Sequence, residues 1–347
     1  MRWLSLIALS LCVQAFAFAA DTPRTPGSAA ELAVYQGADR QERLIAAAKK
    51  EGELSVYHVY PNLPLVMDAF TKKYGIKVKA WRSGSEGVLQ RLTTEARGGR
   101  FEADVVQNNA PENEAAHRER LLQEVRSPFA KDLLPAATPA HHEWTGITID
   151  VFVAAYNTDR VKKEDLPKTY QDLLDPKWKG KLGIEVDDQH WFNGLATAMG
   201  EKQTYKLFSD IVATNGISVR KGHSLLANLV ASGEVPLGLT IYSWIPEQLK
   251  QKGAPIEALP LSPVVAQFST IALPRRSPHP YAALLFYDFM LSEGQQLLAN
   301  LKYVPTSTRF ETPMTKVPLK FIDPGQAIDL QDKWTKTYEE FVTKAAK

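Results

Sequence analysis

The chain has 347 residues, of which 41 are Lys or Arg and 39 Asp or Glu, for a formal charge of +2. The basic residues are dispersed and form no block, which argues against nucleic acid or an anionic membrane surface as partner. The one cysteine, Cys12, lies in the N-terminal apolar run, so disulfides, thiol nucleophiles and cysteine-held zinc are excluded from the rest of the chain.

Arg2, the apolar run 4–18 and the small-x-small triplet Ala17-Phe18-Ala19 read as a secretory signal peptide over 1–19, too short to be a membrane span. Export is therefore expected, with the bacterial periplasm as compartment. Residues 20–40 read as a leader, and 21–32 (DTPRTPGSAAEL) is expected to lack structure. The remaining chain exceeds the roughly 250–300 residues that one core usually serves, so two domains are predicted.

From residue 41 onward, helix-period and strand-period segments alternate. Helices are predicted over 41–50, 61–74, 87–97 and 111–122, with strands over 54–59, 76–81 and 103–107 between them. The second half repeats this grammar: strands over 151–156, 182–186, 235–242 and 264–273, a short helix over 169–174 capped by Thr169, and helices over 189–199, 202–215, 224–232 and 245–252. An amphipathic helix over 278–291 and a polar terminal helix over 329–347 follow. This βαβα order implies an α/β fold with mainly parallel sheets covered by helices.

In open α/β sheets, ligands gather beyond the carboxyl ends of the strands. Those ends carry His58 and Tyr60; Arg82-Ser83-Gly84-Ser85-Glu86; Asn108 and Asn109; Asp187 and Asp188; and Tyr242, Ser243 and Trp244. Asp187 and Asp188 also read as N-cap residues for the next helix, and neighbours at a helix start point apart, so with His190 they do not make a metal site by themselves. His223 reads as the entry residue of helix 224–232, and His141-His142 as solvated linker. The sequence has no Gly-x-Ser-x-Gly elbow, no HExxH, no P-loop and no GxGxxG. No catalytic residue is assigned, and the enzyme alternative is a secreted α/β hydrolase using the same cleft.

The stretches AAAKKEGELSVYHVY, DVVQNNAP, VAAYNTDRV, LPKTYQDLLDPKWKGKLGIE, ASGEVPLGLTIYSW and YAALLFYDFMLSEGQQLLA resemble the periplasmic solute-binding proteins of ABC importers. The likeness is to the ferric-ion-binding type and its small-anion relatives. It implies two discontinuous α/β lobes, 41–147 with 264–310 and 148–263 with 311–347, joined by strands crossing near 145–150 and 260–264. It further implies a small polar solute held between the lobes, an inner-membrane ABC permease as partner, a monomer, and no cofactor, Fe(III) being at most the transported ligand. Ferric members use a Tyr-Tyr pair after the strand corresponding to 235–241, a His or Tyr after the first strand, and often a carboxylate. Here that set would be Tyr242, His58 and Glu86, but Ser243 breaks the tyrosine pair, leaving Tyr60 or Tyr156 as substitutes. A small anion would instead use Ser83 and Ser85 at a helix start, with Arg82, Arg220 and Lys221. A zwitterion or amine would use the carboxylates with Trp191 or Trp244.

Overall fold

The computed structural model describes residues 27–344, so the expected signal peptide lies outside the described residues. The first half contains α1 (Ala29–Val34), α2 (Arg40–Glu51), β1 (Glu53–His58), α3 (Leu63–Tyr74), β2 (Lys77–Arg82), α4 (Ser85–Arg97), β3 (Val105–Asn109), α5 (Ala110–Arg118) and β4 (Trp144–Asn157). Next come β5 (Leu182–Glu185), α6 (Gln189–Met199), α7 (Glu201–Asn215), β6 (Ser218–Arg220), α8 (His223–Ser232), β7 (Leu237–Tyr242), α9 (Trp244–Gln251) and β8 (Ile256–Leu259). The chain closes with β9 (Val264–Ala272), α10 (Pro280–Leu291), α11 (Glu293–Asn300), β10 (Val304–Pro305), β11 (Leu319–Phe321), α12 (Pro324–Asp329) and α13 (Gln331–Tyr338).

The strands run in the order β2-β1-β3-β9-β4-β7-β5-β6. At each flank three strands are parallel, β2-β1-β3 on one side and β6-β5-β7 on the other. The two central strands pair antiparallel with each other and with their neighbours, so the sheet as a whole is mixed. β4 is the longer of the two. Its first half pairs with β9 and β10, and its second half with β7 and β8. It therefore passes from one lobe into the other, and all fourteen of its residues are buried.

Each lobe carries an aromatic core beside its parallel strands. In the first, Phe70, Phe286 and Phe289 meet edge to face under α3 and α10. In the second, Trp191, Phe192 and Phe208 pack between α6 and α7, joined by Tyr338 of α13.

Four expectations are corrected. Residues 28–34 of the leader are ordered: Ser28 and Glu31 form a capping box, and α1 buries Leu32 and Ala33. Arg40 holds it by donating to the Leu32 carbonyl while pairing with buried Asp288 of α10. α10 is buried from Ala282 to Leu291 and has no solvent face, because α1, α2 and α11 pack around it. The polar terminal helix expected over 329–347 is α13 followed by a π-helical turn over Glu339–Thr343, with 345–347 outside the described residues, and it has a buried side, since α13 buries Trp334 and Tyr338. His141 is partly buried, its ring stacked 3.8 Å from that of His117, and is no solvated linker.

Candidate functional site

The carboxyl ends of β1, β2 and β3 face those of β5, β6 and β7 across the central strands, as the topology of facing parallel units requires. Between them lies a cleft of about 680 Å³. One wall consists of Val59–Pro61, the turn Arg82–Gly87, Asn109 and Glu112; the other consists of Glu185, Asp187–His190, Lys221–Leu225 and Tyr242 with Trp244 and Ile245. Asp150 and Phe152 of β4 and Gln267 of β9 complete the lining from the crossing strands.

Of the residues expected at strand ends, Tyr60, Ser83, Ser85, Glu86, Asp187, Asp188, Tyr242 and Trp244 line this cleft. Three others lie behind it. His58 is buried with Nδ1 2.9 Å from the Tyr60 carbonyl, and burial lowers its pKa. Asn108 is turned into the protein, where its Nδ2 donates to the Ser85 carbonyl (3.1 Å). Asn109 lines the cleft in its place, and its Nδ2 donates to Ser85 Oγ (2.8 Å). Ser243 is buried, its hydroxyl without a hydrogen-bond partner. Trp191 belongs to the second core, and Tyr156 Oη donates to Glu257 (2.7 Å) away from the cleft. Asp188 holds the N-cap position of α6 but makes no capping bond; its Oδ1 lies 3.4 Å from His223 Nε2.

Sequence reasoning passed over four residues that the fold brings here: Glu112, Asp150, Glu185 and His223. Asp150 sits at the meeting of the lobes. Tyr60 Oη donates to its Oδ1 (2.7 Å) from one side and Trp244 Nε1 (3.1 Å) from the other. His223 opens α8. Its Nδ1 lies 3.2 Å from the Thr240 carbonyl, which fixes a proton there and turns Nε2 toward Asp188. Burial opposes charging of this imidazole, yet Asp188 and Glu185 outweigh it and hold the pKa above its ordinary value. The Glu185 carboxylate accepts from the backbone N–H groups of Asp187 and Gly222 (2.8 Å for the latter), which fastens the two loops together.

Burial pushes Asp150 up to about 6, and Glu112 and Asp188 up to about 7. Tyr242 receives a hydrogen bond from Gln267 Nε2 (3.0 Å). Burial raises its phenol well above the ordinary range, and the charges of Asp150, Asp188, Glu112 and Glu185 all add to the rise. Among the described residues, two clusters bring imidazole and carboxylate ligand atoms within 4.8 Å: Glu185–Asp188–His223 in the cleft and Glu114–His117–His141 outside it. In the second, His141 Nδ1 accepts from the Glu143 backbone N–H, which leaves the proton on Nε2 facing Glu114; the cluster is a closed hydrogen-bond network.

Two facing α/β lobes, strands crossing beneath and a polar cleft lined from both sides define a two-lobed binding protein. The chain belongs to the bacterial extracellular solute-binding protein family, whose profile matches residues 66–317. It is 30% identical over 184 residues to an Fe(3+)-binding periplasmic protein of Serratia marcescens, a match covering 52% of this chain and 53% of that one, so the chain spans about half the length of this relative. It is also 25% identical over 252 residues to iron uptake protein A1 of Synechocystis, covering 67% of this chain and 69% of the relative. The solved structure of the periplasmic binding protein AfuA from Actinobacillus pleuropneumoniae, with fructose-6-phosphate bound, shares the fold at a TM-score of 0.74 and 24% identity, covering 84% of this chain and 99% of that one. Among the described residues, no helix is long and apolar enough to cross a membrane.

Proposed function

We propose that this protein is the periplasmic receptor of an ABC importer, taking a small polar solute into the cleft and delivering it to an inner-membrane permease. Export rests on the signal sequence over 1–19, and the lobes on the division of 41–147 with 264–310 from 148–263 with 311–347. The observation that carries the reading is the lining of one cleft by strand ends from both flanks, with β4 and β9 running between them. A solute touching both walls favours the closed form, because only that form makes all its contacts.

Small organic solutes fit this cleft better than ferric ion, although both kinds of cargo occur in the names of similar proteins. Of the ferric set, Tyr242 and Glu86 line the cleft while His58 lies behind it. Ser243 supplies no second phenol, and the Tyr60 hydroxyl is committed to Asp150 and Thr148. Melting curves with polar metabolites and with ferric citrate test the reading, since a ligand of the native state raises the melting temperature by mass action. The expected outcome is a shift with organic solutes and no visible charge-transfer band with ferric citrate. A band that vanishes in Tyr242→Phe would establish iron as the cargo instead.

A further inference from the structure

Most buried polar groups in folded proteins have a hydrogen-bond partner, and a group without one calls for explanation. In the cleft, four buried side-chain atoms have none: Glu112 Oε2, Asp150 Oδ2, Asp188 Oδ2 and Gln267 Oε1. All four are acceptors. Asp150 is 0% exposed and Asp188 5%, so water serves neither of them freely. The complement they lack is a group rich in N–H or O–H donors and, given three carboxylates, positively charged.

A metal ion and an ammonium meet this description differently. An ion draws its ligand atoms together, but of Glu112, Asp150 and Asp188 only Asp188 belongs to such a cluster, with Glu185 and His223, and there both Glu185 oxygens already accept backbone N–H groups. An ammonium points its N–H bonds apart and suits acceptors spread around it. Aromatic rings stand beside these carboxylates. Tyr242 lies 4.9 Å from Phe152 and 6.3 Å from Trp244, ring centre to ring centre, and such faces attract an alkylammonium while offering a metal nothing. Of the cationic side chains at the cleft, His223 reaches Asp188 Oδ1 at 3.4 Å but leaves Oδ2 without a partner, and the other two are turned to solvent. Lys221 is 85% exposed, and Arg82 is exposed with its Nε donating to the Val59 carbonyl.

Resting on the receptor reading above, we infer that the transported solute carries a protonated amine, seated between Asp150 and Asp188 against Tyr242, with Glu112 at its edge. Raised carboxyl groups agree with this seat, because a cation beside them restores their charged form.

The test is calorimetric titration of the full mature chain with matched probes: putrescine against butane-1,4-diol, glucosamine 6-phosphate against fructose 6-phosphate, and phosphoethanolamine against ethyl phosphate, with ferric citrate as a further arm. At least one amine is expected to bind, about tenfold or more tighter than its amine-free partner, since a charge-assisted hydrogen bond is worth at least that factor. Asp188→Asn should remove most of this advantage, bringing the affinity for the amine close to that for its amine-free partner. Asp150→Asn provides a second, independent variant should the first disturb His223. Amine-free partners binding as tightly as the amines would overturn the inference and leave the receptor reading standing. Ferric citrate as the sole binder would overturn it in favour of a metal cargo. Failure of every probe to bind the wild-type chain would count against the receptor reading itself, and the amine seat would go with it.

Discussion

At Glu112 one carboxylate oxygen is buried without a donor. That burial pushes the pKa up to about 7; its own backbone N–H offsets part of the rise, and Glu86 adds to it as a like charge. The unfolded chain would ionise near the ordinary 4.5. Between these values the folded state keeps a proton that the unfolded state has lost, so stability falls as pH rises from about 4.5 to about 7. Glu112→Gln keeps the shape and removes the ionisation. Calorimetric unfolding should show the variant more stable than wild type at pH 8, by about 1–3 kcal/mol, and nearly equal at pH 4. Equal stability at pH 8 would mean that Glu112 is neutralised by a partner in the free protein. Asp188 behaves differently, because His223 faces it from α8 and shares its charge. Its removal trades one unpaired carboxylate for one unpaired imidazole.

His223 reaches Asp188 because α8 lies close against β5 and β7, and two glycines permit this. Gly183 and Gly238 are register partners on the adjacent strands. A Cβ on Gly183 would come within 2.6 Å of Val235 and 2.9 Å of Leu226; one on Gly238 would come within 3.0 Å of Val230 and 2.9 Å of Ile241. Leu226 and Val230 belong to α8, so either substitution pushes the helix outward. Gly183→Val is expected to cost about 1–3 kcal/mol in urea unfolding, as overpacked cores do, and to weaken solute binding by moving His223. Loss of stability with binding intact would show that the position of α8 is not critical to the site. At this scale the sequence was informative where elements follow apolar periodicity. Helix 189–199 coincides with α6, and strand ends pointed to most of the cleft. It was least informative for β4, where only 151–156 reads as strand. Thr145, Thr148 and Asp150 look like loop polarity, yet each is buried and hydrogen-bonded, to Tyr287, Tyr60 and Tyr60 with Trp244. Partners 88 to 142 residues away satisfy them, and no local pattern can reveal that. His58 fails for a related reason: being last in a strand does not determine which face its side chain takes.

Among the side chains that join the lobes, Asp150 is central. It lies on β4 where the strand changes partners, between Ile149 and Val151, which pair with β9, and shortly before Phe152, whose partner is Tyr242. Tyr60 brings the first lobe to it and Trp244 the second, and both bond the same oxygen. Tyr60 also stacks on Tyr303 at 4.4 Å and meets Trp244 edge to face at 5.7 Å, so the three rings form a joint packed against the crossing strand. Closure of a two-lobed protein needs such a joint to bend without coming apart. Tyr60→Phe keeps the ring contacts and removes one donor from a buried carboxylate. The expected cost is about 1–3 kcal/mol, read as a lower urea midpoint. The more telling measurement is X-ray scattering of the free protein and of the protein saturated with a solute that raises its melting temperature. Wild type should contract on binding. Tyr60→Phe should contract as well, from a more open starting distribution, because the stacked rings still guide the motion while the Asp150 bond no longer biases it. A free-state profile identical in the two proteins would mean that the bond holds the fold together without setting the angle between the lobes. No contraction in wild type would mean that the solute is held by a cleft already closed.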